Sequence, residues 1–289
     1  MAASSAERHL VGHPGVGGAD RDEEHVEVAH LGVRQPGVVT STVHPSVFGQ
    51  PVTFTATLTG AQGTPTGSIQ FGVDGGNLGS PVALTGGVAT STAVATLGVG
   101  SHNVTATYGG DVVYRPGGSG LTHVVNKAGT TTTVTSSANP SAFGPSVHFT
   151  AAVAPVAPGA GLPSGAVQFL VDGSNLGGPV TLVAGVADSI AVSSLGVGPH
   201  PVTATYAGDA GFNAGSGSLA APGQVVQKSD TSTTVSSSQN PSVFGQAVQF
   251  TAQVAPAGNG AGTPDGTVQF VVDGSSFGAP VTLSGGSAT

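Results

Sequence analysis

From Val52 to Leu58 apolar and polar residues alternate, with Val52, Phe54, Ala56 and Leu58 on one side and Thr53, Thr55 and Thr57 on the other. Successive side chains of an extended chain point to opposite faces, so the run predicts a strand with one buried face and one wet face. Ile69, Phe71 and Val73 repeat the pattern around Gln70 and Gly72, as do Val104, Ala106 and Tyr108 around Thr105 and Thr107. Period two, β-branched residues and threonine-rich outer faces favour antiparallel sheet over helix. Between the runs, Asp74-Gly75 and its counterparts Asp172-Gly173 and Asp273-Gly274 predict tight turns, and Gly98-Val99-Gly100 and Gly196-Val197-Gly198 a further connection.

The strands recur as copies of one unit. VHPSVFGQPVTFTATL from Val43, ANPSAFGPSVHFTAAV from Ala138 and QNPSVFGQAVQFTAQV from Gln239 align, as do the segments GSIQFGVDGGNLGSPVAL, GAVQFLVDGSNLGGPVTL and GTVQFVVDGSSFGAPVTL. A third pair, GSHNVTATYGGD and GPHPVTATYAGD, places Tyr108 and Tyr206 alike. All eleven Phe fall on repeated positions, among them Phe48, Phe143 and Phe244. A period of about 100 residues is too long for a solenoid repeat and suits a sandwich of roughly seven strands. Two facing sheets would bury the Phe, Val and Ile sides against each other at about 25 cal/mol per Å² of apolar area. Burial is therefore the expected role of the repeated aromatic residues.

Five motifs in fixed order carry a resemblance: a Thr-rich first strand, N-P-S-x-F-G, V-x-F-T-A-x-V, G-x-V-Q-F-x-V-D-G and H-x-V-T-A-T-Y-x-G-D. Together, from about Pro36 onward, they resemble the bacterial immunoglobulin-like repeat of long secreted and cell-surface proteins. The resemblance implies an all-β chain of tandem immunoglobulin-like Greek-key β-sandwiches, two complete and one truncated, at an extracellular or cell-surface location. The first copy departs from the pattern with His44 where Asn139 and Asn240 stand, and with a shorter loop before Ile69. Neither departure is expected to touch the core.

Gly 48 and Pro 20 make up close to a quarter of the 289 residues, which raises low complexity as an alternative. The ordered alternation of a chain that is 38% hydrophobic and 7% charged argues instead for turn-rich β structure. A formal net charge of −8 with only six Lys and Arg leaves no basic face for nucleic acid. With no cysteine, disulfides and thiolate chemistry are excluded. No apolar run reaches the roughly 18 residues of a membrane-spanning helix, so membrane insertion is not expected, and MAASSAERHLVGHPG lacks the apolar stretch of a secretory signal.

Residues 1–35 read as a disordered leader, 36–127 as a first module, 128–228 as a second and 229–289 as a third that lacks its last strands, so a fragment of a longer repeat protein is expected. Candidate chemistry is sparse. His102 and His200 precede equivalent strands next to glycine turns, and a turn role is expected in preference to catalysis or metal ligation, since catalysis would need a Ser or carboxylate partner of fixed geometry and one such site in each module. Asp111 and Asp209 are weak calcium candidates, because calcium wants about six to eight oxygen ligands and each module has few carboxylates. Turn capping is the expected role of these two. In the leader, His9, His13, His25 and His30 lie near Glu24 and Glu27, but no apolar face supports the helix that would gather them, leaving only adventitious metal capture. Lys127 and Lys228, the only lysines, fall at module ends, away from any position suited to an intramolecular Lys-Asn crosslink. No catalytic residue, cofactor or resident metal is expected.

Two functions remain. One is a non-enzymatic spacer or stalk, with modules joined through the short segments 125–130 and 226–231. The other is an adhesin whose end loops, 154–164 or 255–265, bind a protein or cell-surface partner, since loops on a rigid sandwich are a usual place for recognition.

Overall fold

A computed structural model describes residues 37–289, so the leader and its His and Glu residues lie outside the described residues. All regular elements among the described residues are strands. In the first sandwich, one sheet runs Val38–Ser41, Phe54–Thr57, Val88–Thr90, each pair antiparallel. The facing sheet joins Gly117–Asn126, Gly100–Tyr108, Ser68–Val73 and Gly76–Asn77 in that order, with Ser46–Val47 added in parallel to the Gly117–Asn126 edge. The second sandwich repeats the plan with Thr130–Ser136, Phe149–Pro155 and Val186–Asp188 facing Ala166–Val171 and Val202–Tyr206. Its last edge is broken: Ala220–Gly223 forms a turn between Gly215–Ser218 and Gln224–Gln227, where the first sandwich has one continuous strand.

The alternation places side chains as the pattern requires. Val52, Phe54, Ala56 and Leu58 are buried with Ile69, Phe71, Val104, Ala106 and Tyr108 in one cluster, and Val147, Phe149, Ala151 and Val153 with Val167, Phe169, Val202, Ala204 and Tyr206 in another. The hairpin turns form because Asp74 and Gly75 both adopt positive φ (51° and 83°), the left-handed pair that matches the twist of flanking strands. Asp172-Gly173 and Asp273-Gly274 do the same.

The third set of strands holds only part of a sandwich: Thr231–Ser237, Phe250–Pro256 and Ser287–Ala288 in one sheet, and the hairpin of Thr267–Val272 with Ser275–Thr282. With few facing residues, its inward positions stay wet. Val134 is 7% exposed in the second copy, whereas its equivalent Val235 is 62% exposed.

One group of repeated aromatics departs from the expected burial. Phe48 leaves its own sandwich and packs, with Val47, against the hydrophobic cluster of the second. Phe143 extends likewise toward the third set, and Phe244 is fully exposed. Phe48 and Phe143 sit on the turn that follows the short parallel edge strand, so the chain direction carries them out of the end of the sandwich.

Truncating a core ring and truncating an exposed inward position of the third set should differ sharply. Phe169→Ala is expected to cost about 3–5 kcal/mol by cavity formation, and Val235→Ala no more than about 0.5 kcal/mol, read from urea unfolding curves.

Candidate functional site

The end of the first sandwich meets the second through the turn Val47–Gln50. The Val47 N–H donates to Gln50 Oε1 at 3.1 Å and the Gln50 N–H to Val47 O at 3.0 Å, which closes the turn. The Phe48 N–H donates to Asn126 O at 2.9 Å, tying the turn to the strand that leads into the next module. The Phe48 ring then meets Phe212 edge to face, with centroids 5.4 Å apart and planes at 83°, a geometry that aromatic quadrupoles favour.

The receiving surface is made of glycine. A Cβ on Gly211 would lie 2.7 Å from two atoms of the Phe48 ring, so any larger residue would displace it. Gly49 is required twice over: its φ is +77°, and a Cβ there would lie 2.1 Å from the carbonyl oxygen of Ala160. The Ala160 N–H donates to Phe48 O at 3.3 Å. The linker is fixed as well: the Ala128 N–H donates to Gly211 O and the Asn213 N–H to Ala128 O, both at 2.9 Å, while the Lys127 ammonium donates to Asp209 O.

The second junction repeats the backbone contacts of the turn, without a counterpart among the described residues of the ring pair with Phe212. The Phe143 N–H donates to Gln227 O at 2.9 Å, the Ala261 N–H to Phe143 O at 3.1 Å, and the Ser229 hydroxyl to Phe143 O at 2.7 Å. A Cβ on Gly144 would lie 2.2 Å from Ala261 Cβ. The N-P-S-x-F-G motif is therefore a joining element. The loops 154–164 and 255–265, expected as partner-binding end loops in the adhesive reading, contribute Ala160 and Ala261 to these junctions.

Asp209 sits close to the receiving surface of the second sandwich as a loop pin, and Asp111 takes the equivalent place at the corresponding end of the first sandwich. Asp209 accepts from the Ser164 N–H and hydroxyl, both 2.7 Å, and from the Gly211 and Phe212 N–H groups, both 2.8 Å. Burial alone would raise its pKa, but the Ser164 hydroxyl and these N–H groups outweigh it and hold the carboxyl at about 2. Asp111 accepts in the same way from Thr66, Val113 and Tyr114, and its pKa is lowered, first by the Thr66 N–H. A calcium ion at either carboxylate would have to displace these donors. Among the described residues no group of three or more His, Asp or Glu is gathered to hold a metal.

His102 and His200 close the far hairpins. His102 Nδ1 lies 2.7 Å from Asp74 Oδ2 and Nε2 2.8 Å from Gly98 O; His200 contacts Asp172 and Gly196 at 2.7 and 2.9 Å. A carboxylate and a carbonyl only accept, so both ring nitrogens donate and the protonated ring is favoured. The pKa of each histidine is raised, first by its aspartate and then by the glycine carbonyl.

A buried polar node escaped the sequence reading. His123 is fully buried, with Nε2 2.9 Å from Ser46 Oγ and Nδ1 3.4 Å from both Ser41 Oγ and His44 Nδ1, and its ring stands edge-on to Phe54. Gln224 fills the same place in the second sandwich, donating to Ala138 O and Ser141 Oγ and accepting from Ser136 Oγ. The substitution of His44 for Asn139 thus accompanies a core change, contrary to the expectation that it leaves the core untouched. His and Gln share no sequence signature, so the repeat comparison passed over the pair.

The family model described as Bacterial Ig-like domain (group 3) matches residues 39–126 and 134–226, together more than half of the chain. No curated protein matches. Among solved structures, the fibronectin(III)-like modules of Clostridium thermocellum CbhA are similar at 19% identity and TM-score 0.26, covering 66% of this chain and 95% of theirs. The Yersinia pseudotuberculosis adhesin InvE is similar at 16% and 0.33, covering 63% of this chain and 58% of its own. The Escherichia coli adhesin FdeC is similar at 15% and 0.28, covering 80% and 77%.

His123 should make the first sandwich acid-sensitive. Burial lowers its pKa, with His44 beside it and His102 on the paired strand adding to the effect. Its contribution is present above the unfolded value of about 6.5 and is lost as pH falls below it. The His102 and His200 pairs act in the opposite sense, but equally in both sandwiches. Between about pH 7 and pH 5, hydrogen exchange at the Phe54 amide should therefore accelerate relative to Phe149, and His123→Gln should remove the difference.

Proposed function

The chain belongs to the bacterial Ig-like domain family, and from that premise we propose that it is a non-enzymatic spacer in a bacterial secreted or cell-surface protein, built of units at 36–127, 128–228 and 229–289. The observation that carries this reading is the seating of Phe48 of one sandwich in the glycine-lined end of the next. Burying part of a phenylalanine and forming an edge-to-face pair is worth about 2 kcal/mol in all. That favours the docked arrangement roughly thirtyfold over a free linker. Backbone hydrogen bonds on both sides of the linker narrow the orientation further, so the modules act as a jointed strut with preferred angles.

The remaining chemistry supports a mechanical role. The histidines that could have acted as bases have both nitrogens committed to structural acceptors, and the loop carboxylates are committed to N–H and O–H donors. An adhesive role through loops 154–164 or 255–265 is less well supported, because these loops join consecutive modules. Adhesion would have to use the strand faces or the parts of these loops that the junctions leave exposed, such as Leu162.

Small-angle scattering of the whole chain should give an elongated particle whose maximum dimension is unchanged by calcium. Phe48→Ala should broaden the distance distribution without unfolding either sandwich. A compact particle, or a profile indifferent to Phe48, would refute the spacer reading.

A further inference from the structure

Phe244 occupies the place of Phe48 and Phe143 but touches nothing. Its turn is nonetheless formed as in the first copy: the Val243 N–H donates to Gln246 Oε1 at 3.2 Å and the Gln246 N–H to Val243 O at 3.0 Å. Gly245 holds φ +82°, beside +77° at Gly49, yet a Cβ on Gly245 would have no neighbour within 4 Å. Val243 and Phe244 are thus presented, preshaped and exposed, in the geometry that elsewhere in the chain is covered by a module.

The structure also shows what can cover it. The receiving end of the second sandwich combines Gly211, whose missing side chain makes room for the ring, with Phe212, which the ring meets edge to face. The corresponding end of the first sandwich is built otherwise. Val113 stands in the place of Gly211, and Tyr114 in the place of Phe212. The Tyr114 hydroxyl donates to Gly63 O at 2.7 Å and accepts from the Gln62 N–H at 3.0 Å, which pulls the ring onto the shortened loop. A Val113 side chain fills the space an incoming ring would need. Val112 and Val113 remain 85% and 45% exposed there.

We infer that Phe244 is the donor half of a further junction, and that its partner is the receiving end of another Ig-like module with glycine and an aromatic ring at the places of Gly211 and Phe212. A second copy of this chain does not qualify, since its first module carries Val113 and its second is filled by its own Phe48. The array is therefore directional, with the first module closed to this kind of knob. The inference rests on the reading of the motif as a joint.

The chain contains no Trp, so Phe244→Trp places a single fluorophore at the knob. The full chain should be compared with itself extended past Thr289 by a copy of residues 189–228, which completes the third sandwich, and then by a copy of 128–228. With the appended module, indole emission should shift to the blue and acrylamide quenching should fall at least severalfold. Emission should stay exposed when the extension stops after the completing strands, or when the appended module carries Val at the place of Gly211. Equal quenching in all versions would overturn the inference.

The unextended chain supplies a second measurement. Phe48→Trp should give a protected indole, and Gly211→Val in addition should expose it. Protection at position 48 that persists with Gly211→Val would overturn the glycine rule, and with it the inference. An indole at position 48 as exposed as that at 244 would overturn the joint itself, and so the spacer reading. A protected indole at 48, with an exposed one at 244 beside the appended glycine-bearing module, would overturn only the inference.

Discussion

An aromatic ring that leaves its own sandwich must be covered by another surface or stay in water. Phe48 leaves because the parallel edge strand Ser46–Val47 runs to the end of its sheet, and the turn held by Gln50 swings the ring beyond it. What covers it is a surface made concave by Gly211 and floored by Phe212. The relative placement of the modules depends on this contact, since the core of each sandwich is otherwise closed within its own two sheets. The linker bonds at Ala128 and the Lys127 contact reinforce a geometry that the ring selects.

The rest of each module serves to hold the two halves of the joint in place. Asp209 illustrates this: one carboxylate fastens Ser164 of one loop to Gly211 and Phe212 of another, so the receiving surface is rigid. Because its folded pKa is depressed, that fastening is present at neutral pH and is lost only as pH falls from the ordinary carboxylate range towards about 2. His102 and His200, at the opposite end of the sandwich, tie hairpin to turn in the converse sense, one ring donating to a carboxylate and a carbonyl. Conserving the plan from copy to copy while changing His123 to Gln224 shows that the buried node tolerates different donors where the hydroxyls of Ser41, Ser46, Ser136 and Ser141 can adapt.

Much of the fold was legible in the sequence because sheet burial has period two. Val52, Phe54 and Ala56 could be assigned to a core without knowing what faced them, and Asp74-Gly75 announced its turn by the backbone conformation it needs. The joint was harder to read. Phe48 and Phe54 look alike as repeated aromatics, and only the topology shows that one points inward and the other out of the end. The roles of Gly211 and Val113 were illegible for the same reason, since a residue without a side chain gives no signal of what it leaves room for. His123 was missed because its equivalent is chemically different.

The most direct test of a joint with preferred geometry is a distance distribution between spin labels on two modules, accessible because the chain has no cysteine of its own. Labels at Ala83→Cys and Thr181→Cys, both on exposed strand positions, should give a single narrow distribution in dipolar spectroscopy that broadens with Phe48→Ala. A broad distribution in the unaltered chain, unchanged by loss of the ring, would contradict the account.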